Sequence, residues 1–139
     1  MARRAFFIYN FGMSRWIEYN PNPKNRRIDD CAIRALCKAL DVSWDEASLM
    51  LDAKALAMST TQTDKATVNA VLHERGFLRR VIPDTCPDCY TAGMFCIDNT
   101  VGLFILCFDH HIAVVVDGHI YDSWDSSEEI PIFYWYKKE

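Results

Sequence analysis

Leu103 to Asp122 reads LFILCFDHHIAVVVDGHIYD, and this stretch decides the fold. Leu103 to Phe108 is an uninterrupted apolar run of strand length, which predicts a buried strand. Ile112 to Val116, rich in valine, predicts a second. Asp117-Gly118 is a strong tight-turn signal, and His119 to Tyr121 beyond it completes a hairpin. Downstream, the apolar and aromatic segment Ile132 to Tyr136 predicts a fourth strand.

Upstream of this stretch the chain is helical in pattern. Ile33, Leu36, Cys37 and Leu40 share one helical face, in a helix that begins near Asp29 or Asp30. Ser43-Trp44-Asp45-Glu46 has capping-box spacing and predicts a helix running to about Met58. A third helix is expected from Asp64 to the stop at Gly76, followed by a strand over Phe77 to Ile82. Thr85-Cys86-Pro87-Asp88 predicts a further helix, with Pro87 in its first turn and its end near Asn99. Cys86, Cys89, Gly93 and Cys96 would share one face of it and pack in the core. At the start, Ala5 to Tyr9 is strand-like, and Pro21 and Pro23 exclude a helix from Tyr19 to Asn25. Helices first and antiparallel strands later make an α+β domain, one helical layer against one sheet.

No repeat or linker interrupts residues 1–139, which read as a single domain. Half of the residues are hydrophobic and 24% are charged, so the chain can bury a core. A net charge of -4 argues against nucleic acid or an anionic membrane surface as partner. Arg3-Arg4, Arg26-Arg27 and Arg79-Arg80 read as solvated pairs. The apolar part of Met1 to Asn10 is too short for a secretion signal, and no run reaches the ~18–20 residues of a membrane span. The expectation is a soluble, cytoplasmic protein whose six cysteines are reduced. Cys86-Pro87-Asp88-Cys89 is half of a zinc site at best, and the scattered aspartates form no calcium loop. No metal or cofactor is expected.

Three residues carry chemistry. Cys31 opens the first helix, where unpaired backbone N–H groups favour a thiolate. His111 opens a strand, a rigid platform for an imidazole, and alternation turns its neighbour His110 to the other face. Asp122 ends the next strand, where the Asp117-Gly118 hairpin sets it beside His111, ready to accept the ring N–H. Each also has a bland reading: a small buried cysteine, a strand-edge histidine, a turn aspartate.

Cysteine at a helix start, His111-Ile112-Ala113-Val114-Val115-Val116-Asp117-Gly118 and Asp122-Ser123-Trp124 together resemble the papain-like cysteine peptidases, with aspartate where that family usually has asparagine. Aspartate in that role is usual in the related double-glycine peptidases. Asp30-Cys31 with Arg34-Ala35 following, and Tyr121-Asp122-Ser123-Trp124-Asp125, resemble short papain-like proteins of phage and prophage genomes; that likeness spans about Tyr19 to Tyr136. The resemblance implies a papain-like α+β fold and a Cys31–His111–Asp122 triad. It further implies that Asn25, six residues before the nucleophile, serves the oxyanion, with Asn20 and Asn22 of the same loop as alternatives, and that Trp124 covers the histidine–aspartate bond. The implied activity is thiol-dependent cleavage of a peptide or isopeptide amide in a protein or peptide substrate, in the host cytoplasm if the gene is a phage's. Two alternatives stay open: an idle binding module that sequesters a host or viral protein, and a transglutaminase-like acyl transferase. The chain is much shorter than papain.

Overall fold

The computed structural model describes residues 14–137, so the expected Ala5–Tyr9 strand and the Arg3-Arg4 pair lie outside the described residues. The elements are β1 (Trp16–Glu18), α1 (Cys31–Leu40), α2 (Trp44–Met58), α3 (Lys65–Glu74), β2 (Phe77–Val81), α4 (Ala92–Asp98), β3 (Leu103–Cys107), β4 (Ile112–Val116), β5 (His119–Asp122) and β6 (Phe133–Lys137). The protein is α+β, four helices with a six-stranded sheet in the order β1-β5-β4-β3-β6-β2.

The local signals act where they were read. Ser43 Oγ accepts the Glu46 N–H and Glu46 reaches back to the Ser43 N–H, so the capping box is closed at both ends. Asp64 caps α3 through the Ala66 N–H. Asp117 and Gly118 both take positive φ, 47° and 78°, the primed turn that matches strand twist. That turn pairs Val116 with His119 and Val114 with Tyr121.

Three expectations are corrected. The sheet is mixed, since β1 joins parallel to β5, Trp16 beside Ile120 and Glu18 beside Asp122. One helical layer does not suffice either. Ile105, Cys107, Ile112 and Val114 face α1, α2 and α3, while Leu106, Ala113 and Val115 on the same strands face α4. Strands apolar on both faces need cover on both sides. The helix expected from Thr85 starts only at Ala92, capped by Thr91. Its first turn is tied elsewhere: the Ala92 and Gly93 N–H groups donate to the carbonyls of Glu129 and Ser127 at 2.9 and 2.7 Å. Cys86 and Cys89 therefore lie outside the helix; of the set expected to share that face, Gly93 and Cys96 are on α4 and buried.

The larger core holds Leu36, Leu51, Leu72, Phe77 and Trp135, all fully buried. Each such side chain contributes roughly 1.5–3 kcal/mol by leaving water. The Trp135 indole N–H donates to Asn69 Oδ1 at 2.8 Å, which locks α3 onto β6. This packing presses α1 flat on β4, the contact on which the site is built. No helix among the described residues is long and apolar enough to cross a membrane.

Candidate active site

Cys31 is the first residue of α1 and is half-buried. The residue before it, Asp30, is buried, but its carboxylate does not cap the helix. Oδ1 pairs with Arg34 and Oδ2 accepts the Trp44 indole N–H at 2.8 Å. The first helical bond runs from Arg34 N to Asp30 O, and among the described residues no side-chain cap covers the start of α1.

His111 immediately precedes β4. Its Nε2 lies 2.5 Å from Asp122 Oδ2, and the Cys31 thiol is close enough to act on its titration. With Nε2 committed to the carboxylate, Nδ1 is the nitrogen that remains for the sulfur. Burial alone would lower the imidazole pKa. The hydrogen bonds and negative charges of Asp122 and Cys31 outweigh it and raise the pKa from 6.5 to about 9. Phe108 stacks near the ring at 5.8 Å and Trp124 lies at 4.9 Å, tilted by 40°. Trp124 is 44% exposed, so it covers the imidazole from outside and is no core residue. His110 lies exposed beside Asp109; both histidines precede β4, so strand alternation does not set their directions. His73 is exposed and His119 is half-buried, its Nδ1 3.2 Å from the Asp117 carbonyl.

Asp122 is buried, and four groups converge on its carboxylate. Oδ1 accepts the Ser123 N–H at 2.8 Å and Arg34 Nη2 at 3.1 Å; Oδ2 meets His111 and accepts the Ser126 hydroxyl at 2.6 Å. Sequence reasoning missed Arg34 and Ser126. In the sequence Arg34 counts only as part of the resemblance to short papain-like proteins, with no role of its own. Only the fold shows that it is buried between two carboxylates, on Asp30 at one end and Asp122 at the other. A charged residue amid the apolar Ile33, Ala35 and Leu36, four after an aspartate, was the available signal.

Asn25 stands in an exposed turn with a left-handed φ of 54°. Its Oδ1 accepts a hydrogen bond from Asn20 at 3.4 Å and its N–H donates to Asn22 O at 2.9 Å. These contacts stay within its own loop and do not reach Cys31. An open cleft of about 330 Å³ runs beside His111 between Ile28-Asp29 and Ser123-Trp124; Cys31 is not part of its lining.

The remaining buried thiols are poor nucleophiles. Burial pushes Cys37 and Cys107 up to about 11 and Cys96 up to about 12. No group of three or more potential metal ligands occurs among the described residues. The arrangement brings a thiol, a base and a carboxylate that orients the base into one region, the set that nucleophilic acyl chemistry uses. No protein-family model, no curated protein and no solved structure matches the chain.

Proposed function

We propose that the protein is a thiol-dependent hydrolase of peptide or isopeptide amides, with a papain-like arrangement. The observation that carries this reading is the imidazole of His111 held on the buried Asp122 carboxylate at 2.5 Å, beside the helix that opens with Cys31. His111 takes the Cys31 proton, and the thiolate sulfur bonds to the substrate carbonyl carbon while the carbonyl π pair moves to oxygen. The Cys31 backbone N–H receives that oxyanion; Asn25, exposed and bonded within its own loop, does not face it in this structure. The imidazolium then protonates the leaving amine as the C–N bond breaks. Water, deprotonated by His111, attacks the thioester and returns the thiol. Asp122 holds the imidazole by its Nε2 face throughout and stabilises its charged form.

Iodoacetamide labelling tests this without a known substrate. Cys31 is expected to alkylate at least ten-fold faster than any other cysteine at neutral pH, and His111→Ala is expected to remove that preference. Uniformly slow labelling of all six would overturn the hydrolase reading in favour of a binding module.

A further inference from the structure

Cys86 and Cys89 belong to no part of the site above. Their sulfurs are in contact at 2.7 Å, and both line a cavity of about 300 Å³ walled by Ile82, Pro83, Tyr90 and Pro131. Cys86 is exposed and Cys89 half-buried, unlike the buried Cys37, Cys96 and Cys107. The turn that presents them is held from within. The Cys86 N–H donates to Asp84 Oδ1 at 3.0 Å, and Thr85 Oγ1 donates to Asp88 O at 2.6 Å. Two accessible thiols already in contact on the wall of a largely apolar cavity are placed to react with one another.

From this geometry we infer that Cys86 and Cys89 form a second thiol site, a dithiol that exchanges with low-molecular-weight disulfides. One thiolate attacks a sulfur of the disulfide RSSR, forming a mixed disulfide and expelling RS⁻, which takes up a proton. The second thiolate attacks the protein sulfur of that mixed disulfide and expels the other RS⁻. The protein loses two electrons and two protons, and the small disulfide becomes two thiols. A reducing dithiol reverses both steps. The hydrogen bonds of Cys86, first to Cys89 and then to Asp84, hold its thiol up to about 12.

The test uses Cys31→Ser protein, which removes the candidate nucleophile, incubated with bis(2-hydroxyethyl) disulfide and followed by peptide mass. The peptide carrying both cysteines is expected to lose two hydrogens with no adduct retained, and dithiothreitol is expected to restore it. Cys86→Ser and Cys89→Ser, at accessible positions, are each expected to stop at one stable mixed disulfide. Free thiols after prolonged incubation at alkaline pH would overturn the inference. So would a lasting adduct on the otherwise unaltered pair, or purified protein with one zinc ion on these cysteines.

Discussion

Asp122 accepts or shares four hydrogen bonds while almost wholly removed from water, and each neighbour bears on a different property. Arg34 neutralises it. Arg34→Met strands two buried carboxylates, Asp30 and Asp122, and is expected to cost about 3–5 kcal/mol in urea unfolding. Ser126→Ala removes one neutral donor and is expected to cost about 1 kcal/mol in the same measurement. The His111 imidazole titrates near 6.5 in an unfolded chain and near 9 in the folded one. A raised value means that the proton favours the fold. That contribution, on the order of 3 kcal/mol, is complete below about pH 6.5 and is lost as pH rises through 9. Unfolding free energy should fall across that window in the parent and stay flatter in His111→Ala. On the proposed mechanism, peptide cleavage should decline along the same limb, because the imidazolium is the acid that releases the amine.

At the scale of elements, the β4–β5 hairpin is the part that sets the histidine beside the aspartate. Gly118 takes a φ of 78°, and a Cβ there would approach Cys96 O at 3.1 Å and Thr100 Cα at 3.2 Å. Gly118→Ala is expected to cost at least about 1–2 kcal/mol of thermal stability from the left-handed backbone alone. Ser43→Ala, at the α2 cap, should cost about 1 kcal/mol and leave Cys31 labelling untouched. Both features were readable in the sequence because each is written within four residues. The hairpin also made the Asp122–His111 pairing readable, since a two-residue turn fixes register. The start of α4 was not readable. Thr85 and Thr91 both look like caps, and the choice between them falls to Glu129 and Ser127, some forty residues on. β1 was invisible for the same reason. Three residues carry no period, and Trp16 to Glu18 become a strand only by pairing with Ile120 to Asp122.

Across the whole molecule, β4 and β3 lie in the interior of the sheet with side chains buried on both faces, while β1 and β2 are its edges. Amide exchange should be slowest in Ile105 and Val114 and fastest in β1 and the outer part of β2. β1 nevertheless matters to the site. The Asp122 carbonyl accepts both the Trp16 indole N–H at 3.1 Å and the Tyr19 N–H at 2.8 Å, so this short edge pins the backbone of the orienting residue.

The guanidinium of Arg34 reaches from the helix that begins with Cys31 to the strand that ends with Asp122. Thiol and imidazole are separated by eighty positions along the chain, and nothing local holds them together before that helix has docked. A ribosome-bound or half-folded chain would then carry its sulfur without a base. On the proposed mechanism, chemical potency arrives last, with final assembly, and the protein is spared from attacking its surroundings while still immature.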